Sequence, residues 1–467
     1  MRARAFLILG LLVLSGCQAR AVRPEPPRGD QASLYVYIRP LPETADRLRL
    51  AVTEVAAVGA GGEDVPLRLR GGAEIGGREK GRQRLLAVGQ LPPGSYRGMS
   101  ITIGKAWLRG EEGETALLIP EEPVFVDVAF SVGKAKAVLL DTAYRQKGAV
   151  RQGFRLEPEF TAHVPPKPIV NRTGYAVSST EDHIAVFDRK TLEVLSVIAT
   201  GNAPASVVMD ERERRAYVAL SEEDAVQVVD VAAGLVVARA QLRAGDRPTW
   251  LALAPNGIVL CANRGSNTMS FIDGRSGVEM SRVAVGIEPE YVLVDRRGRR
   301  AYVFNTRSVF LTVVDIARQA VMGSVATEVG PFRGAFNRTS DRLYVIHRDS
   351  PYLIVIDANR LDRLDRLLVG IGASSLIVDQ DTDLIYLGKR NSPVMDVYDP
   401  FSLLPVDFVE VPGWPADMVI DREENRLLLA MPEVDAVVAV DLFTKKLRGK
   451  MDVGRDPRSI DVMGSRH

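Results

Sequence analysis

Two cysteines and four histidines, Cys17, Cys261, His163, His183, His347 and His467, are the chain's whole stock of thiols and imidazoles. No histidines stand at HxxxH or HExxH spacing and no CxxC or CxxCH string occurs, so neither a zinc site nor a covalent haem is expected. A GxSxG elbow is also missing. The sequence therefore predicts no catalytic residue, no metal ligand and no cofactor. Cys261 lies in an apolar run, residues 258–262, and reads as a buried, inert thiol.

Carboxylates are the groups that recur. Asp188, Asp230, Asp273, Asp315, Asp357, Asp399 and Asp441 close the strings VFD, VVD, FID, VVD, VID, VYD and AVD, at steps of 42, 43, 42, 42, 42 and 42 residues. Seven carboxylates could form a cation ring only if they converged. An Asp that ends an apolar strand more often accepts hydrogen bonds from N–H groups two residues on and so fixes a turn. Asp210, Asp295, Asp379 and Asp421 are expected to do the same.

The basic residues show more variety. Between the second and third strand-like segments of successive repeats stand Arg264, Arg307, Arg348 and the pair Lys389 and Arg390; the other three repeats carry acids there, Glu181 with Asp182, Glu222 with Glu223 and Asp224, and Glu433 with Asp435. One face should be split in charge. Arg247, Arg333, His347, Trp250 and Trp414 fall near the same face, and the expected partner is an acidic protein or a polysaccharide. A formal net charge of +1 offers phosphates no global field, so nucleic acid is not expected.

The elements that must position these residues follow from the period. Residues 245–285 divide into four Val- and aromatic-rich segments cut by Gly-Asp-Arg-Pro, Pro-Asn-Gly and Asp-Gly turns, which is one four-stranded antiparallel propeller blade. The turn Gly-x-x-Pro recurs at Gly201–Pro204, Gly245–Pro248, Gly286–Pro289 and Gly454–Pro457. The first repeat lacks an inner strand and the last piece, residues 457–463, is an inner strand with nothing after it. Joining them gives seven blades and no open edge.

With strings such as Arg215-Ala216-Tyr217-Val218 and ANRGSNTMSFID at residues 262–273, the repeats resemble the YVTN family of propeller repeats of bacterial and archaeal surface proteins. Seven-bladed lactonases are similar in architecture, and that similarity implies Glu288, Glu290, Arg333 and His347 as positions for a channel site. It supports a lactonase-like hydrolase as the alternative to the expected role, a non-catalytic binding, adhesion or scaffolding module of the cell envelope acting through the loop face of the propeller.

Upstream, Arg2 and Arg4 precede the apolar run 5–14, and LSGC resembles the bacterial lipobox. The implied organisation is a signal peptide over 1–16 and a lipid-anchored tether over 17–32 that begins at acylated Cys17. Gln18 in the second mature position is similar to lipoproteins sent to the outer membrane of Gram-negative bacteria. Residues 33–164 alternate as strands and are expected to form a β-sandwich; Leu91-Pro92-Pro93-Gly94-Ser95-Tyr96 resembles the turn of prealbumin-like sandwiches. A Pro-rich linker over 165–173 leads to the propeller, 174–464. The fold class is thus all-β, a sandwich followed by a seven-bladed ring closed by its C-terminal strand.

Overall fold

A computed structural model describes residues 32–71, 74–76, 83–111, 113–133, 136–146 and 155–464. The signal peptide, Cys17 and all of the tether but residue 32 lie outside them. No helix among the described residues is long and apolar enough to cross a membrane.

Residues 173–462 form seven four-stranded antiparallel sheets. Blade 1 is Thr173–Ser178, His183–Asp188 and Val194–Ala199, and its innermost strand is Pro457–Val462, from the far end of the chain. Gly174 pairs with Val462, Tyr175 with Asp461 and Ala176 with Ile460. The closure expected from the two incomplete repeats is the one observed. Blades 2 to 7 follow in order, over residues 204–241, 248–284, 289–326, 331–368, 373–410 and 417–452.

The recurrent aspartates fix the turns between third and fourth strands. Asp230 Oδ1 accepts from Ala232 and Ala233, Asp273 from Arg275 and Ser276, and Asp357 from Asn359 and Arg360, all at 2.7–2.9 Å. Asp188, Asp315, Asp399 and Asp441 do the same. These hydrogen bonds hold the carboxyls of Asp273, Asp399 and Asp441 below the ordinary range, since each favours the charged form.

Neighbouring blades are clasped from the second strand. Tyr217 Oη donates to Gly274 O and Tyr302 Oη to Ala358 O, both at 3.0 Å, while Arg215 and Arg300 reach the same turns. At the closure, Arg426 donates to Arg189 O of blade 1, and Arg189 in turn is paired with buried Asp421 of blade 7 at 2.9 Å.

The N-terminal strands differ from the expected two-sheet sandwich. Among the described residues, ten strands form one hydrogen-bonded sheet curled into a half-barrel. The short strand Asp64–Leu69 pairs with Leu48–Gly59 on one side and Arg84–Leu91 on the other, so the two faces join instead of stacking as separate layers. Register shifts between Ala51 and Glu54 and near Val58 bend the long strand that turns this corner. At the LPPGSY turn, Tyr96 Oη donates to Pro92 O at 2.9 Å and its ring stacks on Phe130.

Strand Ala32–Ile38 is buried on both faces. Leu34, Val36 and Ile38 enter the half-barrel's core, whereas Tyr35 and Tyr37 enter a second core with Phe187 and Val194 of blade 1 and Val419, Leu428 and Met451 of blade 7. The half-barrel therefore covers the blades that the terminal strand joins.

Candidate binding site at the channel mouth

Each inner strand begins at or just after the proline of its turn, or at Ala373 in blade 6, and in six blades the next residue is skipped by a register shift: Pro204/Ser206, Pro248/Trp250, Pro289/Tyr291, Pro331/Arg333, Ala373/Ser375 and Pro457/Ser459. A bulge of this kind re-aims a side chain. The residue at that position, Ala205, Thr249, Glu290, Phe332, Ser374, Ala416 or Arg458, lines one cavity of about 400 Å³ in every blade. The residue after it, one step further along the inner strand, is Trp250, Tyr291, Arg333 or Asp417 in blades 3, 4, 5 and 7. Loops between second and third strands close the rim with Arg264, Arg348 and Arg390.

Six of the ten sequence-predicted face residues meet here: Trp250, Arg264, Arg333, Arg348, Arg390 and Trp414. The guanidinium of Arg333 lies 3.9 Å from the Trp250 ring centroid and 4.6 Å from that of Tyr291. Its Nε and Nη1 are enclosed and have no hydrogen-bond partner. Burial pushes its pKa down, opposed chiefly by the nearby Asp417 carboxylate. Arg390 lies 4.8 Å over Trp414, and burial followed by repulsion from Arg348 and Arg458 lowers its pKa too.

Two rim arginines are neutralised. Glu290 accepts from Arg348 Nη2 at 2.6 Å and pairs with Arg264 Nε at 3.3 Å, and Glu288 pairs with Arg264 at 2.9 Å. Deeper in, Asp417 accepts from Ile460 N at 3.1 Å, and burial raises its carboxyl to about 6.

The other four predicted residues do not join the mouth. His347 is fully buried, its Nδ1 2.9 Å from Tyr352 O, and burial drops its pKa to about 4. The Glu288, Glu290, Arg333 and His347 set is therefore not assembled, because alternation in its strand turns His347 into the blade. Arg247 is exposed at a turn with φ 47°, where its N–H donates to Asp224. Arg307 is exposed beside Glu288, and Lys389 is tied to Asp396.

The acidic loops also have a structural role. Asp182, Asp224 and Asp435 have positive φ and accept N–H bonds from the next blade's turn, at Ala203, at Gly245 and Arg247, and at Asp456; Asn267 does so to Glu288. These carboxylates are spent on joining blades. Arg458, Asp417, Tyr291 and Ser374 went unread in the sequence, although aligning the repeats on their prolines would have singled them out as the variable positions beside constant ones.

Elsewhere, Cys261 is buried with its thiol pKa pushed up by desolvation, and no group of metal-ligating side chains is found among the described residues.

A family model for the YNCE-like beta-propeller matches residues 170–465, the whole ring. The chain belongs to the YNCE-like beta-propeller family. No curated protein matches the sequence. Among solved structures, the YNCE-like ring is similar to a functionally unknown protein from Desulfotomaculum acetoxidans, at 12% identity and TM-score 0.56, covering 63% of this chain and 100% of that one. A candidate 6-phosphogluconolactonase from Bacteroides fragilis matches at 13% identity and TM-score 0.53, covering 63% and 99%. The dihydro-heme d1 dehydrogenase NirN matches at 15% and 0.51, covering 64% and 77%. At such identities the likeness of the YNCE-like ring to these proteins is one of fold.

Proposed function

We propose that the protein is a non-catalytic binding module of the cell envelope, which takes an anionic partner at the mouth of its propeller channel. The observation that carries this reading is the pair Arg333 and Arg390, guanidiniums held on indole faces in one cavity with no ion pair of their own. Arg390 is repelled by Arg348 and Arg458, and a bound oxyanion relieves that repulsion. A stacked guanidinium also keeps its N–H edge in a fixed plane, which suits bidentate capture of a carboxylate.

The binding reading is favoured over a hydrolase because His347, the one histidine of the lactonase-like set, is enclosed in its blade. A propeller hosts both enzymes and binders, so the site and not the fold must decide. The lipobox-like LSGC supports export and anchoring through Cys17, with the loop face turned outward.

The test is retention of the full chain on immobilised polygalacturonate and polyglutamate at rising salt. Retention that fades with salt, and that Arg333→Met with Arg390→Met removes, is expected. Passage through both columns at low salt would overturn the proposal.

A further inference from the structure

The wall of the mouth is unequal in what it offers a ligand. Donors are plentiful, since guanidiniums donate and never accept. The carboxylate acceptors are already engaged: Glu290 is held by Arg348 and Arg264, and Asp456 by Ser179 and Arg458. A peptide backbone entering here would bring N–H groups that need acceptors, and each one left unpaired would weaken binding. Sugar hydroxyls and ring oxygens can accept from the arginines, and a uronate carboxylate only accepts.

Two further features suit a sugar. Ser374 and Ser375, 1% and 3% exposed, stand side by side on the inner strand of blade 6, and each hydroxyl is without a hydrogen-bond partner. A buried hydroxyl left unpaired is costly, and Ser374 forms part of the cavity wall. Trp250 and Trp414 are half-buried in the same wall, so part of each indole, besides the face that holds a guanidinium, is open to the C–H surface of a sugar. Hydroxyls, indoles and guanidiniums in one concave site form a mixed set that charge recognition alone does not require.

We infer that the ligand is a uronate-bearing glycan, entering end-on with its carboxylate on Arg333 and its hydroxyls toward Ser374. This rests on the proposed capture of an anionic partner at the same mouth. Arg333 is the specificity-determining residue, because it lines the cavity from an inner strand and its Nε and Nη1 make no hydrogen bond.

The experiment titrates the full chain with a short oligogalacturonate, the matching neutral oligogalactoside and an oligoglutamate of equal charge, read by tryptophan fluorescence and by calorimetry. Oligogalacturonate should bind roughly ten- to a hundredfold more tightly than either of the others, the range expected for one charge-assisted hydrogen-bonded pair. Arg333→Met should bring it down to the level of the neutral sugar. That variant loses a guanidinium whose enclosed Nε and Nη1 make no hydrogen bond, so its fold should persist, and its melting curve checks this. Ser374→Ala should weaken both sugars several-fold and leave oligoglutamate unchanged. If oligoglutamate binds as tightly as oligogalacturonate, the glycan assignment falls while anion capture stands. If none of the three binds, both fall.

Discussion

A carboxylate that burial holds partly protonated costs the folded state more as the solution becomes less acidic, and Asp417 is such a group. Its folded pKa, raised to about 6 by burial, lies above the ordinary value. Between pH 4 and 6 the unfolded chain therefore gives up its proton while the native one keeps it, and stability falls as pH rises. A shift of about two units corresponds to ~3 kcal/mol at most. Asp417→Asn should remove this slope, so that urea midpoints at pH 4.5 and 7 lie closer together than in the parent; an unchanged slope would place the titration elsewhere. The turn aspartates act in the opposite direction. Asp273, Asp399 and Asp441 have depressed pKa values, so what they contribute is present above the ordinary carboxyl range and lost as pH falls through it. Their role was legible in the sequence because an Asp two residues before the N–H groups it caps is a local device. Asp417 was not legible, because its state depends on Arg333 and on the backbone of Ile460, which come from other blades.

The blade is the element that repeats, and the links between blades come from single positions in it. Asp224 is held at φ 48° and accepts from Gly245 N at 2.8 Å and Arg247 N at 2.7 Å in the next blade. Asp224→Ala leaves two N–H groups without their acceptor and should cost about 1–3 kcal/mol, read from urea unfolding. Asp224→Asn should recover most of it, since Asn267 does the same work one blade further on. Loss of equal size in both variants would mean that the charge matters more than the acceptor. The repeat length, blade count and closure could be read from phase alone. Which acids were exposed could not: Asp182, Asp224 and Asp435 look like surface charge until the neighbouring turn, 21 residues on for Asp182 and Asp435, is seen to donate to them. The half-barrel was misread for a related reason. Strand composition does not say that Asp64–Leu69 pairs on both edges, and that one strand decides between two layers and a continuous sheet.

At the scale of the whole molecule the weak place is the seam between blades 1 and 7, where the ring depends on a strand from the chain's end. The half-barrel lies across that seam, and its Arg70 is the polar centre of the contact, pairing with Asp452 and Asp435 of blade 7 and with Glu181 of blade 1. Gln83 adds two hydrogen bonds to the backbone of Val194, and Tyr37 packs beside them. Asp452 is enclosed, and burial raises its carboxyl even with Arg70 present. Arg70→Met should therefore leave an enclosed carboxylate uncompensated, at a cost of about 3–5 kcal/mol near neutral pH. The same variant should recover part of that loss in mild acid, because Asp452 then takes up a proton in the folded state. Differential scanning calorimetry at pH 7 and pH 5 separates the causes. If the loss is the same at both, Arg70 acts by filling space and the apolar contacts of Tyr35 and Tyr37 hold the seam. If Arg70→Met splits one transition into two, the half-barrel and the ring melt together only because this ion cluster couples them.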